Sequence, residues 1–243
     1  MFTYFLTPLK GVNRQKANDD NRLLEKGKRL RITVEEAYRL ILANGPWPNI
    51  SLLQPQCERA VQVIACDGAL DRALAADLPV DIVIGDMDSV QNKTLAEFLK
   101  QGGEVVEIKD QESNDFTKAV NYCVEKGQTR LVVFGGLGHD LGHEWGNILT
   151  SVASNLQIEM VHDGKSIRTL EKDISYSIEM TPGEEFSLFA IPFCDGISLT
   201  GCSYELHQHR LEMGSQGVHN IAKEKQLQLS FEQGALVMIK SLR

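Results

Sequence analysis

What most limits how this chain can fold is a pattern that recurs along its first two thirds. A short apolar run stops at an acid or a glycine, and a helical spacing follows. The run around Val80 to Ile84 is brief and rich in β-branched residues, which predicts a strand buried on both faces of an α/β sheet. It ends in Gly85-Asp-Met-Asp-Ser89. In open α/β sheets ligands collect at the carboxyl ends of strands, so Asp86 and Asp88 fall where a site would be built. Residues i and i+2 of an extended loop project to one side, so both carboxylates could face one cation, and hard oxygen donors suit magnesium. The same residues also fit an acidic turn in which Asp86 caps the next helix and Asp88 is solvated.

The pattern repeats on either side. Tyr38 to Ala43 predicts a first strand ending in the turn Asn44-Gly-Pro-Trp-Pro48, and Ser51 to Arg59 a short helix. Val61 to Cys66 predicts a strand that stops at Asp67-Gly68, with a helix over Leu70 to Ala76. Gln91 to Gly102 has helical spacing, and Glu104 to Ile108 is a strand followed by the acidic loop Lys109 to Asp115. Phe116 to Lys126 predicts a helix capped by Ser113 or Asn114, with Asp115 in its first turn and Lys118 one turn on. Leu131 to Phe134 runs into the glycine-rich Gly135 to Gly142, where backbone N–H groups could approach a phosphate, before a helix from His143 to Asn155. Strand, helix, strand at this spacing implies parallel pairing. Acids recurring at one end of one sheet favour a metal and polyanion site over unrelated caps.

From Ile158 the pattern changes. Short runs at Ser175 to Met180, Glu185 to Pro192, Gly196 to Ser203, Gln226 to Phe231 and Ala235 to Ile239 are separated by turns such as Cys194-Asp-Gly196. Strands without intervening helices predict an antiparallel sandwich or barrel. The expected fold is therefore an α/β parallel-sheet catalytic domain over residues 37–160 and an all-β sandwich over 161–243, preceded by a basic extension over 1–36. The net charge of −8 argues against a general nucleic-acid binder. Five dispersed cysteines without a CxxC pair fit reduced cytoplasmic thiols and offer no zinc site, and no apolar stretch reaches membrane-spanning length.

Taken together, Ala65-Cys-Asp-Gly-Ala69, Asp81 to Ser89, Asp110 to Lys118, the Gly135 loop with His143 and Asn147, Gly201 to Leu206 and Gln233 to Lys240 resemble the thiamine pyrophosphokinase family. That resemblance implies transfer of a diphosphate from ATP to the hydroxyl of thiamine, with magnesium, in a homodimer whose site lies at the subunit interface. It implies that Asp67, Asp86, Asp88 and Asp115 hold the metal, that Lys118 joins Asp86, Asp88 and Asp115 in catalysis, and that Asp67, Gln111, Asp115, Lys118, Gly136 and Gly138 bind ATP. It assigns His143, Asn147, Tyr204 and Asn220 to the acceptor. Residue by residue, His143 also fits a capping role, Tyr204 sheet packing and Asn220 a turn. His207 and His209, two apart with no clear third ligand, read as surface residues.

The chain departs from the family where Gly-Gly-Arg-x-Asp-His becomes Gly138-His-Asp-Leu-Gly-His143, where a late Ser-Asn becomes His219-Asn220, and where the threonine before Asp115 becomes Asn114. Asp140 in place of arginine exchanges a cation for a carboxylate near the phosphates. Two alternatives follow: a diphosphokinase for another hydroxymethyl heterocycle such as a pterin, or a non-catalytic nucleotide or thiamine-diphosphate sensor.

Overall fold

A computed structural model describes residues 37–242. The basic extension expected over 1–36 lies outside these residues. In chain order the elements are β1 (Arg39–Leu42), α1 (Ile50–Arg59), β2 (Gln62–Cys66), α2 (Leu70–Ala75), β3 (Ile82–Gly85), α3 (Asn92–Lys100), β4 (Glu104–Glu107), α4 (Asp115–Glu125), β5 (Arg130–Phe134) and α5 (Leu141–Ala153). Then come β6 (Gln157–His162), β7 (Lys165–Leu170), β8 (Tyr176–Glu179), β9 (Glu185–Thr200), β10 (Leu206–Glu212), β11 (Gly217–Ile221), β12 (Gln226–Ser230) and β13 (Gln233–Ser241).

The strands form one mixed sheet in the order β4-β3-β2-β1-β5-β6-β7-β13-β9-β12-β8, with β10 and β11 also paired to β9. From β4 to β6 every pairing is parallel. From β6–β7 onward every pairing is antiparallel. Inside the edge strand β4, whose residues are exposed or half-buried, the parallel strands are almost wholly buried, as expected when helices cover both faces. One face packs Leu40, Leu42, Val63, Val83 and Val132 beneath α1 and α2, and the other packs Ile41, Ile64, Ile84 and Val133 beneath Phe116, Ala119 and Val120 of α4. A third cluster, including Phe186, Leu199, Leu227 and Phe231, fills the antiparallel half. Among the described residues no helix is long and apolar enough to cross a membrane.

The strand order reverses between β1 and β5: the chain winds outward from β1 to β4, then crosses by α4 to β5 on the other side of β1. A reversal of this kind opens a crevice beyond the strands' carboxyl ends.

Three expectations need correction. The sheet does not stop near residue 160, because β6 pairs parallel to β5 on one side and antiparallel to β7 on the other. No turn interrupts the chain at Cys194-Asp-Gly196, where β9 runs through. Gly196 there takes φ +69, a bulge conformation, and the Asp195 carbonyl accepts the Glu232 N–H at 3.0 Å. The last helix before β6 begins at Leu141 rather than His143, because the Asp140 side chain accepts from the His143 N–H and serves as its N-cap.

Candidate active site

Asp67, Asp86 and Asp88 come together at the carboxyl ends of β2 and β3. Each offers an oxygen within 4.8 Å of the other two. The route differs from an extended loop: Met87 between the two aspartates has φ +64, so a left-handed residue turns both carboxylates inward. Asp67 is fully buried. Its Oδ2 accepts the Ser89 N–H at 3.2 Å, while its Oδ1 is buried with no hydrogen-bond partner. Burial first, and the neighbouring charges of Asp115 and Asp88 after it, push the Asp67 carboxyl above its ordinary range. A buried, unpartnered carboxylate oxygen beside two more carboxylates is costly without a cation, and the donor set fits a hard divalent ion such as magnesium.

Asp86 is stabilised differently. Its Oδ2 accepts from Gln111 Nε2 at 3.0 Å, and this bond, aided by the Asp88 N–H and the Lys118 charge, holds its pKa below the ordinary value. Asp88 is exposed, and its Oδ1 accepts the Ser89 hydroxyl at 2.8 Å.

Asp115 stands beside this trio without joining it. Asn114 caps α4 by accepting the Thr117 N–H at 2.8 Å, which sets Asp115 at the first helical position. Lys118, only 4% exposed, lies 3.0 Å from Asp115 Oδ1 and 4.0 Å from Asp86 Oδ2. Burial alone would lower the Lys118 pKa, but the Asp115 hydrogen bond and the Asp115, Asp86 and Asp110 charges carry it upward. Gly85 makes the arrangement possible: a Cβ there would stand 2.4 Å from Asp67 Cβ and 3.1 Å from Asp115 Oδ1.

At the strand-order reversal, next to the carboxylates, lies a cavity of about 240 Å³ between Asn44, Asn114, Asp115, Gly136, His143 and Asn147. Asn147 is buried, donating to the Gly136 carbonyl at 2.7 Å and accepting from Asn114 Nδ2 at 3.0 Å, so it ties the glycine loop to the start of α4. His143 is exposed and its Nδ1 meets Asp140 Oδ1 at 2.9 Å. The Gly138 N–H, expected to face a phosphate, instead donates to Glu144 Oε1 at 2.7 Å. The remaining two acceptor candidates are not among the residues lining this cavity. Tyr204 is exposed on the antiparallel half, and the buried Asn220 fastens the 202–204 turn to β11, accepting the Tyr204 N–H at 3.0 Å and donating to its carbonyl at 2.8 Å. His207 and His209 are exposed, as read.

Sequence reasoning missed Asn44. Its side chain lines the cavity and its Nδ2 sits 2.6 Å from where a Cβ on Gly68 would be. Asn-Gly-Pro is a strong turn signal, and that signal hid a side chain aimed at the site.

Comparison with known proteins agrees with this geometry. Residues 53–162 match the family model described as thiamin pyrophosphokinase, catalytic domain. Thiamine pyrophosphokinase from Bacillus subtilis (strain 168) is 27% identical over 210 residues, covering 83% of this chain and 97% of that protein. Thiamine pyrophosphokinase 1 from Oryza sativa subsp. japonica is 29% identical over 167 residues, covering 59% of this chain and 62% of the relative, so the match spans less than two thirds of the rice protein. Among solved structures, thiamine pyrophosphokinase from Bacillus subtilis superposes with a TM-score of 0.69 at 22% identity, covering 84% of this chain and 99% of that one. The enzyme from Candida albicans does so with a TM-score of 0.68 at 14% identity, covering 85% and 90%. The catalytic-domain match and the curated relatives support the thiamine pyrophosphokinase family for this chain, and the solved structures share its fold.

Proposed function

We propose that this chain transfers a diphosphate from ATP to the hydroxyl of thiamine, giving thiamine diphosphate and AMP. The observation that carries the reading is the buried, unpartnered Asp67 Oδ1 within the Asp67, Asp86 and Asp88 group, next in sequence to Cys66, which lines the cavity with Asp115. In this reading these three carboxylates hold magnesium. When bound, the ion would neutralise charge on the phosphates. Asp115 acts mainly by fixing Lys118, whose ammonium offsets phosphate charge from the flank of the trio. Gln111 orients Asp86. Asn114 and Asn147 hold the cavity walls so that the acceptor hydroxyl can approach the β-phosphorus in line as AMP departs, a step governed by alignment and charge more than by covalent help.

The finer organisation belongs to the same reading. Along the one continuous sheet, residues 37–160 form the ATP and magnesium half and 161–243 a sandwich-like half with its own core, joined through β6, and 1–36 are a basic extension. The protein works as a homodimer. Leu141, Trp145 and Leu149 are exposed one turn apart along α5 beside the cavity, which suits burial against a second copy that would also bring Tyr204 near the acceptor. Five free, buried cysteines accord with the cytoplasm.

The test is AMP release from Mg·ATP with thiamine, with a hydroxymethyl pterin, and with no acceptor. AMP and thiamine diphosphate formed only with thiamine are expected. Release with the pterin alone would assign the other acceptor, and no AMP under any condition would reject the enzymatic reading in favour of a sensor.

A further inference from the structure

The loop after β1 is fastened to the site from several directions. The Ala43 N–H donates to the Phe134 carbonyl at 2.8 Å and the Gly45 N–H to the Gly135 carbonyl at 2.9 Å, so this loop and the glycine loop are stitched together across the strand-order reversal. Trp47 Nε1 donates to the Ala43 carbonyl at 2.8 Å. Arg72, from α2, lays its guanidinium 3.5 Å over the Trp47 ring and donates to the Gly45 carbonyl at 2.8 Å and the Ala43 carbonyl at 3.3 Å. A planar, five-donor cation can stack on an aromatic face and bind carbonyls in its own plane at once, which a lysine cannot do.

These contacts converge on Asn44, the residue between the two anchored carbonyls. Its amide nitrogen lies over Gly68, next in sequence to Asp67, and its exposed side chain lines the cavity with no hydrogen-bond partner among the described residues. A neutral N–H donor that lines the cavity beside the residue following Asp67 can bind a phosphate oxygen without competing with a metal for the acids.

We propose that Asn44 is a phosphate-contacting residue and that Arg72, acting through its stack on Trp47, is the positioning residue that holds it there. This rests on the nucleotide reading above. Arg72 is not itself a phosphate ligand, because its guanidinium is already committed to the ring and to the two carbonyls.

The experiment is a double-mutant cycle of Asn44→Ala, Arg72→Ala and the pair, with Arg72→Lys beside them. It reads binding of Mg2+ with α,β-methylene-ATP, the KM for ATP and kcat for AMP release, and Tm. Asn44→Ala should weaken binding of the analogue roughly 10- to 100-fold, the loss expected for one hydrogen bond to a charged group. Arg72→Ala should do nearly the same through misplacement. The pair should lose little more than the worse single variant, and Arg72→Lys should not restore binding. Unchanged nucleotide binding in Asn44→Ala overturns the proposal, and so do fully additive losses, which would make Arg72 a ligand in its own right. If Arg72→Ala does not fold, Trp47→Phe, which keeps the ring and drops the bond to Ala43, takes its place with the same expected direction. A wild-type protein that neither binds the analogue nor releases AMP fails the nucleotide reading itself. A competent wild type with an indifferent Asn44→Ala removes only this inference.

Discussion

The two sides of the site are built by different means. On the carboxylate side the ties that set Asp67 and Asp86 join distant parts of the chain, Asp67 to Ser89 across 22 positions and Asp86 to Gln111 across 25, with shorter ones at Asp88 and Asp115 beside them. On the rim, residues 138–144, the ties are local: Asp140 to His143 across 3 positions and Gly138 to Glu144 across 6. The first set exists only when the parallel sheet is folded, and it fixes groups that must face one ion. The second is helix capping, which a different sequence could satisfy equally well. Asp140 and Gly142, where the family resemblance implies arginine and aspartate, fall on that locally held rim.

The sharpest way to break this contrast is to neutralise the carboxylates. Asp86→Asn and Asp88→Asn should each cut AMP release by roughly 10²- to 10³-fold while leaving Tm close to wild type, because a developing charge loses its organised counter-charge but the fold loses no packing. Turnover assays alongside thermal melts check this. Near-normal turnover in both variants would mean that the long-range ties organise nothing chemical.

Gly135→Ala probes the seam between the two sides. Gly135 takes φ +77, and a Cβ there would stand 2.3 Å from the Ala43 carbonyl oxygen and 2.7 Å from Trp47 Nε1. Since neither the backbone nor the anchored indole can give way cheaply, the variant should lose about 2–4 kcal/mol of stability in denaturant melts. A smaller loss would show that the β1 and β5 loops are joined more loosely than their hydrogen bonds imply.

Asp67 offers a pH test. Its folded pKa is raised above the unfolded value, so the folded chain holds that proton more tightly. The stability it contributes is fully present below the ordinary carboxylate pKa and is lost as pH rises through the higher folded value. In chelator, wild-type stability should therefore fall across that window, Asp67→Asn should flatten the fall, and magnesium should raise Tm only in the wild type. An identical pH profile in the variant would sink the claim that this carboxyl is the strained member.

How much of this was legible beforehand follows from the same contrast. The parallel strands could be read because burial on both faces leaves uninterrupted apolar runs, and the acids stood out because each follows such a run. Asp67, Asp86 and Asp88 could thus be grouped without coordinates. That Asp115 pairs with Lys118 instead of completing the trio could not, since it depends on which way the first turn of α4 faces. The break expected at Cys194-Asp-Gly196 failed because Asp-Gly signals a positive-φ glycine without saying whether the chain turns or bulges. Asn147 looked like an acceptor contact, yet both ends of its amide are taken up by Gly136 and Asn114, partners 11 and 33 positions away.

The smallest effect should come from the rim, and it decides whether the contrast holds. Asp140→Ala removes the cap of α5 and the partner of His143, both at an exposed position. Losing an N-cap on one helix of a protein this size should lower Tm by roughly 2–4 °C. Because Asp140 touches neither the carboxylate trio nor Lys118 in its hydrogen bonds, AMP release should change less than about threefold, far below the cost of a lost transition-state contact. Parallel melts and initial rates separate the two readouts. Should Asp140→Ala instead keep its Tm and lose turnover as heavily as Asp86→Asn, the carboxylate that replaces the family's arginine takes part in the chemistry. The rim would then be specialised for this chain's own acceptor, and the division between a long-range catalytic side and a locally held, replaceable edge would be wrong.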